Sequence, residues 1–116
     1  MSKILTLIGT RPEIIRLSKI INILDKTNKN ILVHTGQNYD YNLDKIFFKD
    51  LNVRKPNYYL GAKGSFAEQL SIITLKLEKI ILKEKPSKFV VLGDTNSSLG
   101  AIIAKRLNLQ VYHLEA

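Results

Sequence analysis

Four residues in this 116-residue chain have side chains suited to acid–base or anion chemistry and stand where such groups are useful: Arg11, Gln37, Asp94 and Glu115. Each follows, within one to three residues, a short apolar run that reads as a buried strand. Asp94 and Glu115 are carboxylates at the ends of two successive runs. Burial and mutual repulsion separate the pKa values of such a pair, so one can donate a proton while the other accepts. Arg11 falls in the first turn of a helix, where the dipole favours acidic side chains. A bound anion would offset that mismatch, so Arg11 reads as a phosphate contact or as a plain solvent-exposed arginine. Asp94, or Thr95 beside it, equally serves as the cap of the following helix. Glu115 has no visible helix to cap. His34 and His113 each lie inside a strand, where a lone histidine is more often a satisfied core residue than a catalyst.

The elements that must position these groups alternate along the whole chain. Residues 3–8, 31–35, 56–60, 88–92 and 110–114 read as strands. Residues 10–25, 41–50, 65–84 and 96–107 read as helices. Thr10 with Glu13, and Ser65 with Glu68, have capping-box spacing, and Pro86 marks a helix stop. Such alternation predicts an α/β fold: a Rossmann-like parallel sheet of about five strands in order 3-2-1-4-5, with helices on both faces. All five strand-to-helix turns then share one edge. Ligands of open α/β sheets bind there, and helix N-termini offer N–H groups to phosphate oxygens. Four of the five turns carry Gly, which permits positive φ and tight packing whatever the function.

Composition sets bounds. The chain is 45% hydrophobic and 24% charged, ordinary for a globular domain, with a formal net charge of +8 and no cysteine. The absence of cysteine excludes thiol chemistry. The apolar runs are too short for a membrane span, and the N-terminus lacks a signal peptide's length and cleavage site, which places the protein in the cytoplasm. The charge fits a nucleic-acid surface, a diphosphate site or solvated lysine-rich faces. The basic residues form no run and have no aromatic interleaving, which favours solvated faces and leaves no nucleic-acid partner expected. Neither G-x-G-x-x-G nor a P-loop is present, which disfavours a nicotinamide cofactor or a nucleotide triphosphatase.

The run Gly9-Thr10-Arg11-Pro12-Glu13, the turn Gly93-Asp94-Thr95 and the end His113-Leu114-Glu115-Ala116 together resemble the non-hydrolysing UDP-N-acetylglucosamine 2-epimerases, over the whole chain and in the same order. The resemblance implies a two-domain, glycosyltransferase-B-like enzyme more than three times this length. Residues 1–116 would be the N-terminal Rossmann-like domain, incomplete, with the C-terminal domain absent. It implies elimination of UDP across C1 and C2 to a 2-acetamidoglycal, then re-addition after proton return on the opposite face of C2. No NAD or metal cofactor takes part. It further implies a UDP-N-acetyl sugar as substrate, a homodimer at full length and a role in surface polysaccharide precursors.

Carried over by position, Arg11 is the phosphate-side arginine, and Asp94 and Glu115 are two of the essential carboxylates. Gln37 and Thr95 stand among the substrate contacts. The family's essential lysine on the first helix falls at Arg16, which keeps the charge without the titratable ammonium and so favours an electrostatic role. The common bacterial enzymes have Gln-His after the second strand, whereas this chain has Gln37-Asn38. That stretch, with Ile14-Ile15-Arg16-Leu17-Ser18 and Gly93-Asp94-Thr95-Asn96-Ser97, resembles the branch that makes UDP-N-acetyl-L-fucosamine from a UDP-2-acetamido-2,6-dideoxy-L-talose intermediate. A glycosyltransferase half with the same fold, or a UDP-sugar-binding fragment, is the alternative, and this chain alone is expected to be inactive.

Overall fold

In a computed structural model, the chain is described at residues 2–36, 41–92 and 99–114, with the side chains of 41–44 excepted. The elements in order are β1 (Lys3–Ile8), α1 (Arg11–Thr27), β2 (Lys29–His34), α2 (Tyr41–Asp50), β3 (Tyr58–Tyr59), α3 (Phe66–Glu84), β4 (Lys88–Leu92), α4 (Gly100–Arg106) and β5 (Gln110–Leu114). The five strands form one sheet in the order β3-β2-β1-β4-β5, and every pairing is parallel. Parallel neighbours need crossovers, and four helices supply them. The expected Rossmann-like α/β architecture and strand order are therefore what the chain adopts.

The strands are near-continuous apolar runs because both faces of a parallel sheet are covered. On one face Leu5, Leu7, Ile31, Val33, Phe89 and Val91 pack under α3 and α4, through Ile73, Leu77 and Ala104. On the other, Ile8, Leu32 and Leu92 pack under α1 and α2, through Ile14, Leu17, Ile21 and Phe48. One residue of strand register separates the two sets, as the period of two requires. Fully burying each of these large side chains contributes roughly 1.5–3 kcal/mol.

Local chemistry fixes the element ends. Ser65 and Glu68 form a reciprocal capping box at the start of α3: the Ser65 hydroxyl accepts the Glu68 N–H at 3.2 Å, and the Glu68 carboxylate accepts the Ser65 N–H at 3.1 Å. Those bonds hold the Glu68 carboxyl below its ordinary pKa, the backbone donor contributing most. At the far end Lys85 turns left-handed, with φ of 54°, and Pro86 prevents continuation. Several boundaries differ from the expected ones: β2 starts two residues earlier and ends one earlier, at Lys29–His34, and α4 is described at Gly100–Arg106. α1 runs two residues further, to Thr27, because neither Gly nor Pro stops it before Asn28. β3 shrinks to two residues, because only Tyr58 and Tyr59 reach β2 in register, opposite Val33 and His34.

The approach to β3 is governed by a polar network instead. The Arg54 guanidinium donates to both oxygens of Asp25, at 3.0 and 3.1 Å, and to the Asn30 carbonyl at 2.6 Å. Asn30 in turn donates to Asp25 at 3.2 Å and accepts from buried Thr6 at 2.7 Å. The segment is thus tied to α1 and β2 by side chains, joined by the backbone bond from the Asn57 N–H to the Leu32 carbonyl at 2.7 Å. The C-terminal ends of all five strands, β4 and β5 at partners Leu92 and Leu114 included, lie on one edge.

Candidate functional site at the C-terminal sheet edge

At this edge β1 passes through Gly9 and Thr10 into α1. The Glu13 carboxylate folds back and accepts both the Thr10 N–H, at 2.9 Å, and the Thr10 hydroxyl, at 2.5 Å. Glu13 is buried, so this carboxylate is committed to the helix start. Arg11 is the first residue of α1, and its guanidinium carbon lies 5.8 Å from the centre of the Phe47 ring on α2. Phe47 is half-buried. Arg11, Ile46, Phe47 and Asp50 line a shallow hollow of about 260 Å³. The exposed arginine and the N-terminus of α1 bring positive charge to this corner, a combination that receives phosphate oxygens, and the Asp50 carboxylate lines the same hollow.

Arg16 is exposed on the same helix. Five residues of α-helix carry it about 7.5 Å along the axis and about 140° around it from Arg11. The two arginines therefore belong to different sides of α1.

β2 ends on His34, which is 1% exposed. Its ring lies tilted against Tyr59, with centres 5.5 Å apart, and edge-on to Phe48, at 6.1 Å. The expectation of a satisfied core histidine holds here: Nδ1 accepts the Gly36 N–H at 2.8 Å. His113 departs from that expectation. It is exposed on β5, the last strand of the order, where Gln110 and Tyr112 are exposed as well and no residue is fully buried. Gly36 has φ of +84°, and a Cβ there would stand 2.8 Å from the Gly61 nitrogen. The turns after β2 and β3 are thus pressed backbone to backbone, which only glycine allows. The Lys76 ammonium crosses from α3 to the Leu60 carbonyl at 2.9 Å, placing a further positive charge beside the turn after β3.

Asp94, Thr95, Gln37 and Glu115 lie outside the described residues. In sequence, Gly93-Asp94-Thr95 follows the end of β4, Glu115 the end of β5, and Gln37 follows Gly36. Phe47 and Lys76 went unremarked as site residues in the sequence. Phe47 looks like one more apolar position of an amphipathic helix. The only signal for it is its adjacency to Phe48: two neighbours on a helix are 100° apart, which puts one of them toward the border of the core face. Among the described residues, no three His, Cys, Asp or Glu side chains cluster as metal ligands, and no helix is long and apolar enough to cross a membrane.

Comparison with known proteins gives this edge a context. The family described as UDP-N-acetylglucosamine 2-epimerase matches residues 22–116. The UDP-N-acetylglucosamine 2-epimerase of Methanocaldococcus jannaschii is 48% identical over 117 residues, covering 98% of this chain and 32% of that protein. The UDP-2,3-diacetamido-2,3-dideoxy-D-glucuronate 2-epimerase of Pseudomonas aeruginosa is 42% identical over 118 residues, covering 98% of this chain and 33% of its own. Among solved structures, the M. jannaschii enzyme in complex with UDP-GlcNAc and UDP superposes with a TM-score of 0.90 at 45% identity, over 98% of this chain and 32% of that one. S. aureus MnaA bound to UDP superposes at 0.88 and 31% identity, over 100% and 31%. The chain thus spans about a third of the length of the relatives it matches. On sequence and fold together, it belongs to the UDP-N-acetylglucosamine 2-epimerase family.

Proposed function

We propose that the complete protein containing this chain is a non-hydrolysing UDP-N-acetylhexosamine 2-epimerase, and that residues 1–116 supply most of its N-terminal, Rossmann-like domain. The observation that carries this reading is the exposed Arg11 at the N-terminus of α1, on the sheet edge where all strand C-termini meet. Two structural neighbours hold UDP or UDP-GlcNAc.

The reaction begins with removal of the C2 proton and departure of UDP from C1, leaving a 2-acetamidoglycal. A proton returns to C2 from the other face, and the UDP oxygen re-forms the bond to C1. Atoms and electrons balance without an external oxidant or reductant. Asp94 and Glu115 are the carboxylates proposed to move protons. Positioned acids and bases each contribute about 10²–10⁴-fold. Arg11 holds the diphosphate and stabilises UDP as it leaves, Arg16 adds positive potential, and Gln37 and Thr95 contact substrate. The remaining contacts come from sequence beyond this third of the protein, so the 116 residues alone turn over no substrate: positioned catalysis needs every group in place at once.

Within the family we assign the chain to the branch acting on UDP-2-acetamido-2,6-dideoxy-L-talose, on the strength of Gln37-Asn38 and the stretches around Arg16 and Asp94. This assignment makes the product UDP-N-acetyl-L-fucosamine, a precursor for surface polysaccharide. Product analysis by NMR of the complete protein with each sugar tests it. Turnover of the L-talo substrate at least tenfold faster than UDP-GlcNAc is expected, and the reverse preference refutes the branch while leaving the epimerase reading intact.

A further inference from the structure

We propose that the sheet face beside α1, over β4 and β5, seats a helix from the part of the complete protein that follows residue 116, and that this helix comes later than the first crossover after β5. This rests on family membership and on no step of the proposed reaction.

The period of two puts Lys88, Val90 and Leu92 of β4 on the α1 face, in register with Gln110, Tyr112 and Leu114 of β5. The opposite face of these two strands is covered: α4 packs on both, and Val111 joins the core beneath it. On the near face α1 lies chiefly over β1 and β2, and among the described residues α4 is the helix that packs extensively on β4 and β5. A hollow of about 370 Å³ is left beside α1. Ile4, Val90, Tyr112 and Leu114 form its floor, and Ile20 and Leu24 form its wall. Among the described residues, Lys88 is the one charged group that lines it. Tyr112 is 41% exposed there, and Ile20, Leu24 and Leu114 are half-buried.

All-parallel sheets occur almost only with both faces covered. Neighbouring strands lie about 4.8 Å apart, so β1 to β5 spans roughly 9.6 Å, and a helix with its side chains is about 10–12 Å across. The hollow therefore takes one helix, alongside α1, with an apolar side turned to Val90 and Tyr112.

Two facts choose the occupant. A relative matches 98% of this chain with 32% of its own length. The rest of such a protein is about twice as much chain again, tethered to this domain at high effective concentration. The hollow is also walled by α1, so a second copy would meet the exposed side of that helix before the sheet floor. Handedness then orders the occupant in the chain. α4 carries β4 to β5 on one face of the sheet. A crossover from β5 to a strand on its free side continues in the same direction and, being right-handed, lies on that same face. The hollow is on the other face, so the helix that fills it comes from beyond that crossover.

The test uses the complete protein, with Tyr112→Cys for coverage and p-benzoyl-phenylalanine at position 112 for the identity of the neighbour. Iodoacetamide labelling of Tyr112→Cys, read by peptide mass spectrometry, is expected to run at least about thirtyfold slower in the folded protein than in urea. A smaller slowing means an open face and overturns the proposal. Irradiation is expected to give a cross-link that leaves the mass on a denaturing gel that of one chain. Its peptide should map more than about 30 residues beyond residue 116, past the length of one strand–helix–strand unit. A cross-link that doubles the mass, one that maps to residues 1–116 or to the stretch directly after them, or none at all overturns the proposal. If Tyr112→Cys does not fold, Leu24→Cys on the wall of the hollow takes its place. Neither measurement reads turnover, so failure here leaves the epimerase reading standing.

Discussion

The Arg11 guanidinium sits over the Phe47 ring, 5.8 Å from its centre, and so a helix-opening arginine on α1 is steadied by a half-buried aromatic on α2. A cation over an aromatic face gains about 0.5–1 kcal/mol at an exposed site. The benefit here is directional: a long side chain loses part of its rotamer freedom before an anion arrives, so less is lost on binding.

This relationship sets an order of effects. Removing the charge with Arg11→Ala should weaken UDP binding by the value of a charge-assisted bond to phosphate, about 10–100-fold. Removing the ring with Phe47→Leu should cost only about two- to fivefold, and Phe47→Tyr should restore it. Calorimetric titration of the complete protein with UDP reads all three. An unchanged affinity in Arg11→Ala would return Arg11 to an ordinary surface residue.

The carboxylates make a different prediction. Asp94→Asn and Glu115→Gln keep shape and lose the ability to take a proton. Each should lower kcat by about 10²–10⁴-fold while UDP still binds. If instead both variants turn over near normally, and Asp94→Asn merely lowers the melting temperature, Asp94 is a helix cap and Glu115 is dispensable.

How much of this was legible in the residues differs by element. The strand order and both helical layers follow from alternation of apolar runs and capping pairs, since parallel connections allow few topologies. The Arg54–Asp25 bond that holds the approach to β3 was hidden, because its members are 29 residues apart in sequence. Phe47 and Phe48 read alike as apolar, yet Phe48 enters the core and Phe47 turns to Arg11. The burial of His34 was readable from its strand. The use of its Nδ1 was not, because it depends on the positive φ of Gly36 two residues on. His113 sits in an equally strand-like run, yet it is exposed among the described residues.

At the opposite end of the sheet, one cluster links stability to pH. The Tyr58 hydroxyl donates to Glu84 at 2.5 Å, and the Lys3 ammonium lies 3.2 Å from the other carboxylate oxygen. The hydrogen bond from Tyr58, followed by that from Lys3, lowers the Glu84 pKa below its ordinary 4.5. The same bond raises Tyr58 above its ordinary 10.0. Glu84 therefore contributes stability above about pH 4.5 that is lost as pH falls through its lower folded-state value. Tyr58 contributes below about pH 10 and loses that contribution as pH rises through its higher folded-state value. Urea unfolding across pH should show wild type more stable than Glu84→Gln between those limits, with the two converging in acid. Parallel curves at every pH would mean that the cluster does not titrate with folding.

We propose that Asp94 and Glu115, with Arg11, serve proton transfer at C2 of a UDP-N-acetyl sugar. Epimerisation by the complete protein in deuterium oxide, followed by NMR of recovered UDP-sugar, tests it most directly. Deuterium is expected at C2 of the product epimer from the first turnovers, and its loss with Asp94→Asn or Glu115→Gln. A product epimer that keeps its original C2 hydrogen, or no epimer at all, would contradict it.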